Sequence, residues 1–181
     1  MNIFVVDNNI YSSTLRNMGM EYHVFDHIYE PWSKGMSNGS IISVDEVYSE
    51  LKRLFETKKD KKWEWIDNYR AAFKFPNDEE GEIVKEIYKN PKFRERLKEK
   101  DFLGYNPGAD AFLVAKAKYV GGIVVTDESN TKPNSDRIPN ICVEFKIPYI
   151  QRQKFYLVLK NMYEGNHDLK DVTLHYDLDT K

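Results

Sequence analysis

Acidic side chains follow directly on two of the most apolar short runs in this chain. Residues 3–6 (IFVV) lead into Asp7-Asn8-Asn9, and residues 123–126 (IVVT) lead into Asp127-Glu128. Both runs have the unbroken β-branched and aromatic character of strands buried on both faces of a parallel sheet. Sites in open parallel sheets form outside the carboxyl ends of the strands, so these two ends deliver acids to one edge. Asp110 opens the clearest helix in the chain, and Glu46 and Glu50 lie one helical turn apart. Taken singly, an acid after a strand is an ordinary turn residue, and Asp110 is an ordinary helix cap. Glu46 also has a structural explanation, because Ser43-Val44-Asp45-Glu46 fits a capping box. Glu50 has none: it lies between Val47 and Leu51, beside the apolar stripe, where a carboxylate needs a partner. It is therefore weighted above Glu46 as a site residue.

Acids that converge without a matching set of buried cations repel one another, and a hard divalent cation is the simple remedy. Carboxylates and water suit Mg²⁺ or Mn²⁺, whereas zinc favours His or Cys. The histidines, His23, His27, His167 and His175, form no convincing ligand set. The single cysteine, Cys142, excludes an internal disulfide and reads as a small core residue between Ile141 and Val143. Neither a GxxxxGK[ST] nor a GxGxxG phosphate-binding element is present.

These residues need a scaffold. Besides the two runs above, residues 40–43 and 147–150 are strand candidates, and 172–176 alternates weakly as an edge strand or ordered arm. Residues 10–30 have loose helical spacing up to Pro31, and 33–40 (SKGMSNGS) has loop composition. The spacing predicts helices over about 44–56, over a segment from Trp63 through Phe73 ended by Pro76, and over Ile83 to Tyr88 with a basic continuation to Lys100. From Gly108-Ala109-Asp110 the stripe Phe112, Leu113, Ala115, Lys116, Ala117 and Val120 predicts a helix stopped by Gly121-Gly122. A short helix over 140–145 and a last one over 151–163 complete the pattern. Strands separated by helices predict one α/β domain over 1–163, three-layered, with a short, mainly parallel central sheet flanked by helices. An acidic extension, 164–181, follows.

The chain has 181 residues and a net charge of −2, from 27 Lys and Arg against 29 Asp and Glu. That total gives no notice of nucleic acid or membrane. No apolar stretch approaches the ~18 residues that span a bilayer, and no signal peptide is evident, so a cytoplasmic location is expected. The near-neutral sum hides local clusters. Lys58, Lys59, Lys61 and Lys62 precede Trp63 and Trp65, and residues 85–100 hold seven Lys or Arg, Arg94 and Arg96 among them, against three Glu. Each alone suits a solvated helix face; beside an acid set they are candidate RNA contacts, with the tryptophans as stacking partners.

Asp7-Asn8-Asn9 after its strand resembles the DxN opening of PIN-domain ribonucleases. Val47-Tyr48-Ser49-Glu50-Leu51 resembles their helix bearing the second acid. Asp110-Ala111-Phe112-Leu113-Val114-Ala115-Lys116-Ala117, then Gly121-Gly122 and residues 123–126 with two acids behind them, resembles the stretch that completes the PIN site. Gly108-Ala109-Asp110 and Ile138-Pro139-Asn140-Ile141-Cys142 are similar to a PIN-like, toxin-like branch, the DUF4411 type. The resemblance implies metal-binding roles for Asp7, Glu50 and Asp110. It places Glu128, a Glu where the family has Asp, in the fourth acid position, with Asp127 as the neighbouring alternative. Asn9 falls where the family has a small polar residue that orients the first acid or a metal-bound water. The activity implied is Mg²⁺- or Mn²⁺-dependent endoribonuclease action of the VapC-like toxin type, with RNA as substrate, an antitoxin protein as partner and a homodimer as a common assembly. A PIN-like binding module that does not cleave, and a DNA nuclease on the same scaffold, are the alternatives.

Overall fold

The computed structural model describes residues 2–21, 23–56, 61–94, 109–129, 137–166, 172, 174 and 175. In chain order it contains β1 (Phe4–Val6), α1 (Asn8–Asn17), a 3₁₀ turn (His23–Phe25), α2 (Asp26–Asn38), β2 (Ile41–Val44), α3 (Asp45–Phe55) and α4 (Lys61–Asn68). A second 3₁₀ turn (Arg70–Ala72), β3 (Phe73–Lys74), α5 (Asp78–Lys89), α6 (Ala109–Val120), β4 (Ile123–Val125), α7 (Ile138–Glu144), β5 (Tyr149–Ile150) and α8 (Arg152–Tyr163) follow.

The five strands form one sheet in the order β3-β2-β1-β4-β5, and every pair is parallel. Phe4, Val5 and Val6 are all buried, as are Ile123, Val124 and Val125, so helices cover both faces of the central strands. This is the expected three-layer α/β architecture. From the central β1 the chain winds outward through β2 and β3, then returns to β4 and β5 on the other side. The order therefore reverses between β1 and β4, which opens the crevice where such sheets hold ligands. Asp7 and Thr126 leave the sheet on either side of it.

Three local expectations are corrected. Residues 33–38 are not a loop: α2 runs through Pro31 to Asn38 and stops at Gly39 in the left-handed region (φ 80°). Trp32 and Met36 anchor it in the core, and a Cβ on Gly35 would stand 2.5 Å from Ile41 Cδ1. The glycine that signals a loop instead lets the helix lie against β2. The helix expected through Phe73 ends at Asn68, and Phe73–Lys74 becomes the edge strand β3, with Phe73 opposite Ser43. Ser43 does not cap α3; its hydroxyl lies within the sheet and donates to the Val6 carbonyl at 2.6 Å, while Val44 is the cap residue. Of the span 172–176, residues 173 and 176 lie outside the described residues; among the described ones His175 forms an antiparallel bridge with Tyr149. Among the described residues no helix is long and apolar enough to cross a membrane.

Candidate functional site

Asp7 is the N-cap of α1. It accepts the Asn8 backbone N–H at 2.7 Å through Oδ1 and the Thr126 hydroxyl at 3.0 Å through Oδ2, and it is buried. Burial first, then the Asp110 and Glu128 carboxylates, push its carboxyl well above the ordinary value; the two hydrogen bonds pull only weakly the other way. The sheet and α6 thus bring three of the expected acids into one another's field. Glu50 joins through an amide: Asn8 Nδ2 donates to Glu50 Oε2 at 2.8 Å. Asn8 carries no role in the sequence reading, although it stands in the same Asp7-Asn8-Asn9 triplet.

Asn9 acts at one remove. Its Nδ2 donates to Thr126 Oγ1 at 3.3 Å, and its Oδ1 accepts the Asp127 N–H at 3.0 Å, so it ties the start of α1 to the exit of β4. Thr126 is the hub, fully buried, donating to Asp7 while accepting from Asn9 and from the Glu128 N–H at 3.2 Å. A threonine at a strand end gives little notice of this in sequence, because strand propensity already explains it.

Asp127 and Glu128 separate. Asp127 Oδ2 pairs with Arg152 at 3.1 Å, and Arg152 also donates to Ser13 Oγ. Glu128 Oε2 accepts the Ile138 N–H at 2.7 Å, where α7 begins without a side-chain cap from Arg137. Burial, with the Asp45 and Glu80 carboxylates adding to it and Lys116 opposing, pushes the Glu46 carboxyl up. Cys142 is fully buried, and burial pushes its thiol far up, which suits a core residue.

Among the described residues no group of three His, Cys, Asp or Glu side chains stands close enough to ligate one ion as arranged. Asp7, Glu50, Asp127 and Glu128 are each turned toward a hydrogen-bonding partner. The chemistry of the set nonetheless fits a hard divalent cation: oxygen donors only, one of them buried, and mutual repulsion that a cation would relieve.

Three of the six expected RNA-contact residues fall among the described residues. Lys61 and Arg94 are exposed and Lys62 is half-buried; Lys58, Lys59 and Arg96 lie outside the described residues. Trp65 is no stacking partner for a base. It is buried, edge-on to Trp32 and Tyr29, with its indole N–H on Ser33 at 2.9 Å.

A family model described as Domain of unknown function (DUF4411) matches residues 4–161. The chain belongs to this family. Comparison with curated proteins and with solved structures gives no match. The DUF4411 match takes in β1 through most of α8, so Asp7, Glu46, Glu50, Asp110, Asp127 and Glu128 all lie inside the matched span.

Proposed function

We propose that this DUF4411 domain is a metal-dependent nuclease of PIN type that hydrolyses RNA phosphodiester bonds, and that it is the toxin of a pair held in check by an antitoxin protein. The observation that carries the reading is Asp7: a buried carboxylate at the topological switch point, its ionisation opposed by Asp110 and Glu128. Structural acids are usually compensated, and perturbed acids in a crevice are the ordinary mark of a site.

In this reading Asp7, Asp110 and Glu128, with Glu50 beside them, would hold Mg²⁺ or Mn²⁺. Held there, such an ion would supply a water of lowered pKa and positive charge to offset that building on the scissile phosphate. Thr126 keeps Asp7 turned to the crevice, Asn8 keeps Glu50 there, and Asn9 holds Thr126 in register. Arg152 engages Asp127 and leaves Glu128 as the fourth acid. The decisive assay is digestion of total cellular RNA by purified protein with Mn²⁺, with EDTA and DNA controls. Divalent-dependent cleavage that disappears in Asp110→Asn is expected; inert wild-type protein, whose expression also leaves growth unchanged, would remove the support.

One observation favours a second reading, a binding module that does not cleave: Glu128 uses a carboxylate oxygen to cap α7 at Ile138. Calorimetry showing RNA binding without Mn²⁺ binding would select it.

A further inference from the structure

The parallel register carries past the last residues of the strands. Val44 lies opposite Lys74, and Phe4 and Val5 lie opposite Ile41 and Ile42. Continued by two residues, through Val6 opposite Ser43, this register puts Asp7, Val44 and Lys74 in one row, so the residue after Lys74 emerges at the same carboxyl edge as the acids. That residue is Phe75, and it is 68% exposed.

An aromatic ring so exposed is usually a mobile loop residue, but the backbone around Phe75 is pinned. The buried Lys116 ammonium donates to the Phe75 carbonyl at 3.2 Å and to Glu80 Oε1 at 2.7 Å. Arg70 donates to the Phe73 carbonyl at 2.8 Å and pairs with Asp45. The Arg70 guanidinium carbon sits 4.2 Å from the Tyr48 ring centroid and 5.1 Å from that of Phe75. Lys116 belongs to α6, which also carries Asp110, so one helix holds both the acid and the anchor of the ring.

An exposed ring with a cation at its side suits a base better than a protein. Lys74, Asp78 and Glu79 around it are exposed and charged, and among the described residues the other exposed apolar side chains, such as Val24, Leu54 and Tyr163, belong to other elements. Protein interfaces form on contiguous apolar patches, whereas one flat aromatic surface is enough for one unpaired base. Adjacent strands lie ~4.8 Å apart, so the β3 exit is about 10 Å from the β1 exit. Roughly three stacked nucleotides at ~3.4 Å each cover that distance.

We propose that Phe75 is the stacking platform for an unpaired base of single-stranded RNA laid across the carboxyl edge of the sheet, a few nucleotides from the bond held beside Asp7. This rests on the nuclease reading and adds the strandedness of its substrate, since a base inside a duplex cannot stack on the ring.

The test uses full-length protein carrying Asp110→Asn, so that RNA stays intact, titrated with a short fluorescent oligoadenylate in Mn²⁺. Adding Phe75→Ala is expected to weaken binding about 5- to 150-fold. Phe75→Leu should weaken it as much and Phe75→Trp should restore it, with melting temperatures near the parent's because the ring is mostly in solvent. In oligoadenylates with a single abasic position, one position should matter to the parent and lose its effect in Phe75→Ala. Binding by Phe75→Leu equal to the parent's overturns stacking. RNA affinity untouched by Phe75→Ala, together with a loss of self-association seen by light scattering, overturns the proposal and assigns the ring to a protein contact. Wild-type protein that neither binds nor cleaves RNA removes the nuclease reading itself, whereas RNA binding indifferent to Phe75 removes only the platform.

Discussion

Asp7 and Glu80 are both buried carboxylates, 7% and 1% exposed, and their surroundings are opposite. Glu80 faces the Lys116 ammonium at 2.7 Å, two charges withdrawn from water together. Asp7 faces a hydroxyl, a backbone N–H and two further carboxylates, and burial and like charge both disfavour its ionised form. Low dielectric makes an uncompensated charge expensive, so a fold retains one where it has another use. The chain neutralises Glu80 with its own cation, which gives that acid a structural task. At Asp7 it leaves neutralisation to a proton or to something that arrives.

The largest expected effect tests the Asp7 side. Asp7→Asn or Asp110→Asn should lower Mn²⁺-dependent RNA cleavage by about a thousandfold, the equivalent of several kcal/mol of lost metal stabilisation. Stability should not fall with it: the melting temperature of metal-free Asp7→Asn should equal or exceed the wild type's, because the change removes a repelled charge and Asn still caps α1. A variant that loses activity by melting would make Asp7 another Glu80.

Substitution on the other side should do the reverse. Lys116→Met leaves Glu80 buried without its cation, at a cost of about 3–5 kcal/mol. For a chain of this size that is a fall of roughly 6–20 °C in melting temperature. Lys116→Met combined with Glu80→Leu should regain most of it, since two apolar side chains replace the pair. A double variant as unstable as the single one would mean that the Phe75 carbonyl, not Glu80, is the contact that matters.

The same contrast separates what was readable in sequence from what was not. β1, β4 and their acids were legible because strand composition and the acid that follows are adjacent in the chain. Lys116 was read as part of the apolar stripe of α6, and its burial matches that; its partner Glu80 lies 36 residues away, in another helix that no local pattern connects. The spacing of Phe73 from Tyr69 and Ile66 is helical, yet two residues of pairing with β2 override that period. Locally, Gly35 signals a loop and Ser43 a cap, the usual uses of those residues. Their observed uses, close packing on Ile41 and a hydrogen bond to Val6, depend on neighbours brought by the fold. Nothing near Asn8 in the sequence signals its contribution, a contact 42 residues distant with Glu50.

Metal should distinguish the two regions without any mutation. Mn²⁺ at a hundred times its dissociation constant should raise the stability of wild-type protein by about 2.7 kcal/mol through mass action. The increment should vanish in Asp7→Asn and persist in Lys116→Met, measured as the shift in melting temperature on adding Mn²⁺. An equal shift in all three proteins would place the ion away from the crevice.

The smallest effect sharpens the boundary within the acid cluster. Asp127 and Arg152 form a pair at 3.1 Å, each side chain 29% exposed, where water screens much of the interaction. Asp127→Asn should therefore change stability by no more than about 1 kcal/mol, and Mn²⁺ affinity by less than about fivefold. Glu128 contributes to the field that raises Asp7, so Glu128→Gln should weaken Mn²⁺ binding by about tenfold or more, read by calorimetry. The two variants differ by one position in the chain and remove the same charge. If Asp127→Asn weakens the metal as strongly as Glu128→Gln, Arg152 is not withholding Asp127 from the site, and the guanidinium must release it when the ion binds.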